Sequence, residues 1–340
     1  MKLIRKLLFP IVPIYWLVTW LRNKLYDLGI KKSVSYNFPL IAVGNISVGG
    51  TGKTPMVEYL IRILKPKYNL GTLSRGYGRK SKGFVLANQT STSLDLGDEP
   101  MQFHIKYPGI NVAVDGDRRR GLAKLLELHN APDVVLLDDA FQHRKVKAGF
   151  YILLTSYQNL YSKDIVLPTG DLREPRSGAK RADIIVVTKC PQSLTNEEKQ
   201  RIRQELSPNN DQQLFFATIA YSEYLYSGNM KQGLDFLKDQ NFTLLTGIAN
   251  PQPFIDYYKS LELSFEHLNY PDHYNFTDKD IRLLKEKDLV VTTEKDYMRL
   301  KDHLPEEILW YHPIKIQFLD NPEGFKSLIF DYIKKQDSLS

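Results

Sequence analysis

Pro39-Leu40-Ile41-Ala42-Val43-Gly44-Asn45-Ile46-Ser47-Val48-Gly49-Gly50-Thr51-Gly52-Lys53-Thr54-Pro55 is an apolar run that breaks into glycines, a lysine and a threonine. Met56 to Leu64 follows with apolar residues at helical spacing. Strand, Gly-rich loop and helix is the context in which backbone N–H groups converge on phosphate oxygens. Gly49, Gly50, Thr51 and Gly52 form such a cradle, and its glycines keep Cβ atoms out of the anion's way. Lys53 adds a point charge for the β/γ-phosphates, and the Thr54 hydroxyl is placed to ligate Mg²⁺. The helix start contributes its positive dipole end, and Pro55 gives up an N–H that lacks an intrahelical partner anyway. The stretch therefore points to a bound nucleoside triphosphate with Mg²⁺. Ser47 stands where the usual pattern has its first Gly.

Further short apolar runs flank this loop. They are Leu70 to Ser74, Val112 to Val114, Val134 to Leu137, Tyr151 to Leu154 and Ile184 to Val187. They alternate with helical patterns such as Arg119 to His129, which predicts a mostly parallel α/β sheet covered on both faces. The polar stretch Ser207 to Gln213 reads as a boundary. Phe242 to Leu245, Leu289 to Thr292 and Ile314 to Ile316 then predict a smaller α/β unit. The expected organisation is an N-terminal segment over 1–32, a P-loop core over 33–210, and a C-terminal unit over 211–340.

The net charge is +7, and residues 1–32 carry +6 of it, with seven cations against Asp27 alone. A basic excess confined to one end disfavours a nucleic-acid role and suits an anionic membrane surface. Between those charges, Leu7 to Leu21 is uncharged and contains Tyr15, Trp16 and Trp20. It is shorter than the ~20 residues of a span. Pro10 and Pro13 disfavour a straight helix. A monotopic anchor is preferred, with a tilted span and a buried helix as alternatives. Cys190 is the only cysteine, so no intrachain disulfide exists, and it reads as a small inert residue.

Val134-Val135-Leu136-Leu137-Asp138-Asp139 is an apolar strand ending in two carboxylates. P-loop enzymes hold Mg²⁺ with such an Asp, which makes Asp138 the candidate ligand. Asp139 orients a ligand water or caps a turn; both readings stand. Arg173 lies among turn formers and reads as a mobile cation on the transferring phosphoryl group, or as a solvated loop charge. Arg75, Tyr77 and Arg79 follow a strand, where doubly wound folds bind ligands. Arg118, Arg119 and Arg120 open a helix, where cations oppose the dipole, so they read either as facing an anionic ligand or as a solvated face. His143 either supports the carboxylates or is structural. The other histidines show no metal-ligand spacing, so no zinc site is expected.

Together these residues resemble the tetraacyldisaccharide 4′-kinase family, the lipid A kinases of Gram-negative bacteria. The resemblance spans nearly the whole chain. It rests on Val43 to Pro55, Leu73-Ser74-Arg75-Gly76-Tyr77-Gly78-Arg79, Gly97-Asp98-Glu99-Pro100 and Asp138-Asp139-Ala140-Phe141-Gln142-His143. Leu172-Arg173-Glu174-Pro175, Pro271-Asp272-His273 and Thr293-Glu294-Lys295-Asp296 complete it. Ser47 agrees with that family, whereas Ala140 replaces its usual Gly and would be strained at a positive φ. The resemblance implies transfer of the γ-phosphate of ATP to the 4′-hydroxyl of a tetraacyldisaccharide 1-phosphate. It implies Asp98 as general base with His273 as partner, and a C-terminal unit that closes over the cleft. It also implies an N-terminal anchor on the inner membrane, with the catalytic body on the cytoplasmic side, a lipid A precursor as substrate and no protein partner. Two other readings are a membrane-tethered nucleotide switch and a small-molecule P-loop kinase. The first lacks the guanine-specific signature, since Thr188 and Pro191 replace its Asn and Asp. The second leaves residues 1–32 unexplained.

Overall fold

The computed structural model describes residue 5 and residues 7–338. A 3₁₀ turn (Phe9–Ile11) leads into α1 (Val12–Asp27). The core follows as β1 (Leu40–Gly44), α2 (Lys53–Leu64), β2 (Leu70–Ser74), β3 (Val85–Leu86), α3 (Ser93–Leu96), α4 (Asp98–Lys106), β4 (Asn111–Val114), α5 (Arg118–Leu126), β5 (Val134–Asp138), β6 (Phe150–Ser156), β7 (Ile184–Thr188), α6 (Asn196–Leu206) and β8 (Gln213–Tyr221). A second group contains β9 (Tyr224–Ser227), β10 (Met230–Gly233), β11 (Phe242–Thr246), α7 (Gln252–Ser260), β12 (Phe265–Asn269), α8 (Asp278–Lys285), β13 (Val290–Thr292), α9 (Glu294–Leu300) and β14 (Leu309–Tyr311). The chain closes with β15 (Ile314–Phe318) and α10 (Pro322–Asp337).

The larger sheet has the order β15-β8-β7-β6-β1-β5-β2-β4-β3. From β4 to β8 every pairing is parallel, and only the edge strands β3 and β15 run antiparallel. β1, β2, β5 and β7 are buried along their whole length, so both faces need a helical cover. On one face α2 supplies Met56, Leu60 and Leu64, which share a cluster with Phe325, Ile329 and Ile333 of α10. In the smaller sheet, ordered β10-β9-β14-β13-β11-β12, the four strands from β14 to β12 are parallel.

The boundary expected at 210/211 is not where the sheets divide. β8 extends the larger sheet beside β7, and β15, expected in the smaller unit, pairs antiparallel with β8. Phe318 and Phe325 then stack around Phe215 and Tyr59, an aromatic cluster that ties the C-terminal strand and helix to the core. The smaller sheet is therefore an insertion between two neighbouring strands of the larger one. Leu96, Met101 and Val114 from the core share a buried cluster with Leu245, Val290, Tyr297 and Met298 from the insertion.

Pro13 sits in the first turn of α1, where its missing N–H costs nothing. Among the described residues no helix is long and apolar enough to cross a membrane. Lys2 and Lys6, part of the expected basic cluster, lie outside the described residues. The strain expected at Ala140 falls one residue earlier: the positive φ belongs to Asp139, at 48°. An Asp tolerates that region better than most residues, so Ala140 needs no glycine.

Candidate active site

β1 and β5 lie side by side with Val43 opposite Asp138. That register puts a strand end bearing two carboxylates next to the start of the Gly-rich loop. Gly44 permits the approach, because a Cβ there would fall 2.7 Å from the Phe141 Cβ. The loop is then tied down: Asn45 Nδ2 donates to Thr51 Oγ1 at 2.8 Å, and Thr188 Oγ1, from the end of β7, donates to the Thr51 carbonyl at 2.8 Å. Gly49 and Gly52 have φ of 99° and 85°, and α2 starts at Lys53 with Thr54 in its first turn. Gly50 lies beside the Lys189 ammonium, which would stand 3.7 Å from a Cβ there.

Asp138 is buried, and its Oδ1 has no hydrogen-bond partner among the described residues. Burial, and then the charge of Asp139, push its carboxyl up to about 7. Asp139 goes the other way. Burial would raise it, but Lys53 and Arg173 outweigh burial and lower it. Lys53 Nζ is 3.5 Å from Asp139 Oδ1, and Arg173 reaches both Asp139 oxygens at 3.1 Å. A buried carboxylate with an orphan oxygen at a strand end next to the Gly-rich loop, together with the Thr54 hydroxyl in the first turn of the helix that loop enters, is a donor set that suits Mg²⁺. That ion takes one or two carboxylates and completes its shell with phosphates and water. Among the described residues no cluster of three or more His, Cys, Asp or Glu side chains is arranged to hold a metal.

Arg173 is less free than a mobile loop cation. Its amide donates to the Ile46 carbonyl at 2.7 Å, and the Val48 amide to the Asp171 carbonyl at 2.7 Å. The 171–173 segment is thus stitched along the Gly-rich loop. Gln142 completes the arrangement, accepting from Arg173 at 3.3 Å and donating to the Asn45 carbonyl at 2.7 Å.

A second cluster stands at the start of α4. Gly97, at φ 91°, turns the chain where a Cβ would meet the Tyr77 carbonyl at 2.7 Å, and Asp98 follows. Arg299 on α9 holds Asp98 Oδ2 through Nε at 3.0 Å and through a second nitrogen. His273 Nδ1 lies 3.5 Å from the same oxygen and 3.1 Å from Arg299, and the Tyr77 ring packs edge-on against the imidazole. Lys295 is 3.0 Å from His273 Nε2 and 3.2 Å from Glu99. The Asp98–His273 distance exceeds a normal hydrogen bond. Arg299 stands between the two groups, and its contacts fall on Oδ2, leaving Oδ1 to accept a proton. The two clusters sense each other, since Glu99 is one of the charges that raise Asp138.

Several side chains sit differently from the sequence reading. Arg118 is buried and bonds to the carbonyls of Asp115 and, at 3.5 Å, Asp138, so it is no solvated face. Arg79 is spent on the Gly83 carbonyl at 2.8 Å. His143 bonds to the Gly116 carbonyl at 3.2 Å rather than to the carboxylates, the structural option. Arg299 and Lys189 carry no role in the sequence reading, and Gln142 and Lys295 stand in the quoted motifs without one. For Arg299 the available signal was its i,i+3 spacing from Asp296, which it contacts at 3.2 Å.

Comparison with known proteins identifies the family and the fold. The family profile described as Tetraacyldisaccharide-1-P 4'-kinase matches residues 4–334. A Flavobacterium johnsoniae protein named Tetraacyldisaccharide 4'-kinase is 52% identical over 98% of this chain and 99% of its own length. Its namesake from Flavobacterium psychrophilum is 49% identical over 98% of each. A crystal structure of LpxK from Aquifex aeolicus in complex with ATP superposes with a TM-score of 0.80. It is 32% identical and covers 97% of this chain and 99% of that one.

Proposed function

Because the chain belongs to the tetraacyldisaccharide-1-P 4'-kinase family, we propose that it moves the γ-phosphoryl group of ATP to the 4′-hydroxyl of a tetraacyldisaccharide 1-phosphate, giving lipid IVA and ADP. It is a kinase of lipid A biosynthesis. The observation that carries the assignment to named residues is the pairing of Lys53 and Arg173 on Asp139, beside the orphan oxygen of Asp138. Phosphoryl transfer needs its developing charge neutralised and its reactants held in line.

In this reading the 49–54 backbone, Lys53 and Thr54 bind the phosphates. Asp138 and Thr54 would hold Mg²⁺, and Asp139 anchors Lys53 and would orient water beside that ion. When bound, Mg²⁺ neutralises charge on the β- and γ-oxygens. Arg173 passes from Asp139 to the transferring group. Asp98 takes the hydroxyl proton on Oδ1, and His273 assists it once substrate draws Arg299 aside. A loose transition state leaves the hydroxyl proton on until late, so a carboxylate is base enough. The inserted sheet brings His273, Lys295 and Arg299 to α4, which supports closure of that unit over the cleft. The direct test is transfer of label from [γ-³²P]ATP to tetraacyldisaccharide 1-phosphate in detergent with Mg²⁺. Label in the lipid supports the reading, and ATP hydrolysis with unlabelled lipid favours a nucleotide switch.

The same reading places the chain on the cytoplasmic face of the inner membrane through its N-terminus. Leu7, Phe9, Ile11, Ile14, Trp16, Leu17, Val18, Trp20 and Leu21 are all exposed, and Trp16 stacks on Trp20 with centroids 5.8 Å apart. Such a patch suits an interface, where Trp is enriched. Replacing Trp16, Leu17 and Trp20 by Ser is expected to weaken binding to anionic vesicles by at least about 10-fold, since each loses buried apolar area. Cosedimentation measures it; unchanged binding would assign the patch to another partner.

A further inference from the structure

α1 inverts the usual logic of a docked helix. Its apolar residues are largely exposed, and its one buried residue is Asn23, at 8% exposure. Burying an amide is costly unless its hydrogen bonds are made; Glu174 satisfies the Asn23 Nδ2, while Oδ1 has no partner among the described residues, so half of that cost is borne for this one bond. Asn23 Nδ2 donates at 2.6 Å to Glu174 Oε2, and Glu174 is itself buried. The other Glu174 oxygen accepts from Gln142 at 3.0 Å, and Arg181 binds both oxygens at 2.9 Å. Gln142 in turn holds Arg173, the neighbour of Glu174 in sequence.

The rest of the docked face of α1 addresses the same two loops. Tyr15 donates its hydroxyl to the Arg173 carbonyl at 3.0 Å, and Arg22 donates to the Gln142 carbonyl at 2.8 Å. Arg144, just past Gln142, returns a bond to the Asn23 carbonyl at 3.1 Å. Three residues of one helix thus bond to Arg173, Gln142 and Glu174. A segment needed only to attach the protein to a bilayer has no use for them.

We propose that Asn23 is a positioning residue for phosphoryl transfer: through Glu174 and Gln142 it sets where Arg173 lies over the phosphate site. The proposal rests on the kinase reading above. α1 accordingly has two faces with separate tasks, an apolar one toward the bilayer and a polar one that aligns a catalytic cation. Without the Asn23 amide, Glu174 keeps its bond from Gln142 and its pair with Arg181 but loses the shorter of the two bonds that hold Oε2. The Arg173 guanidinium then wanders from Asp139 and the γ-phosphate.

The test compares full-length wild type, Asn23→Ala and Tyr15→Phe in mixed micelles of tetraacyldisaccharide 1-phosphate, alongside vesicle cosedimentation. Asn23→Ala is expected to lower kcat on the order of 10- to 100-fold, the cost of a small misplacement of a catalytic group. KM for lipid and for ATP, and vesicle binding, stay within about twofold of wild type, as for an interaction realised in the transition state. Adding Glu174→Gln to Asn23→Ala costs little more, because the two share one network. Tyr15→Phe shows the same pattern with a smaller loss, and it decides the matter if Asn23→Ala does not fold. Raised lipid KM or lost vesicle binding at unchanged kcat overturns the proposal, as does wild-type kinetics in Tyr15→Phe. A wild-type chain that leaves the lipid unlabelled overturns the kinase reading instead.

Discussion

Asp98→Asn is expected to cut kcat for lipid phosphorylation by about 10²–10⁴-fold, the range a positioned general base supplies. That is roughly 3–5 kcal/mol of barrier. The substitution keeps size and shape, so it removes proton acceptance while leaving a group for Arg299 to meet. KM for ATP should change little, because the phosphate cradle belongs to the β1–α2 loop and Asp98 to a different element. Lys53→Ala, by contrast, should raise KM for ATP and lower kcat together. Steady-state kinetics at saturating lipid, with a separate nucleotide-binding titration, distinguishes the two patterns. A loss of only a few fold in Asp98→Asn would demote the carboxylate to an anchor for Arg299. The proton acceptor would then have to be His273, and the 3.5 Å between His273 and Asp98 would be a supporting contact.

These expectations separate what a sequence can carry from what only a folded chain can. The Gly-rich loop and the Asp138-Asp139 strand end were readable because each is a local pattern. Their adjacency follows once β1 and β5 are neighbours in a parallel sheet. β15 was misplaced because Ile314-Lys315-Ile316 looks the same in either sheet. Its membership is decided by Phe318 and Phe325 packing on Phe215, a contact across about a hundred residues. Arg118 left a nearby anion and a solvated face both open, because a helix start alone does not show what lies beyond it; the folded chain puts its guanidinium on the Asp138 carbonyl. Asn23 and Arg299 had no signal strong enough to stand out. Their partners Glu174 and Asp98 are 151 and 201 residues away, and an Asn among exposed apolar residues looks like noise until its amide is seen on a buried carboxylate.

Lys106→Met is expected to destabilise the chain by about 3–5 kcal/mol near pH 8, the cost of breaking a buried ion pair by removing one partner. Lys106 ends α4, the helix that Asp98 begins. Its ammonium lies 2.7 Å from Glu58 Oε2 on α2 and in direct contact with Glu294 on α9. Gln102 and the Ile314 amide bind the remaining carboxylate oxygens, at 2.9 and 3.3 Å. Burial works to lower the affinity of Lys106 for its proton, but Glu294 and Glu58 overcome it and hold the ammonium charged. Burial and the charge of Glu58 raise Glu294. Removing the cation leaves two buried carboxylates facing each other, with Arg62, 3.8 Å from Glu58, as the remaining cation near Glu58. Glu294, already raised, then loses the cation that lowers it, so its protonated form is favoured further in the folded chain. Stability is greatest at low pH and falls as pH rises from the unfolded carboxylate range through the folded pKa. The deficit of Lys106→Met should therefore be smaller at pH 5 than at pH 8, and adding Glu58→Gln and Glu294→Gln should recover much of it. Urea unfolding at the two pH values checks the sign; equal deficits would mean that the carboxylates are not what Lys106 holds. The same variant should lower kcat, because the joint it loosens ties together the phosphate-loop helix, the helix that presents Asp98 and the sheet that delivers Arg299.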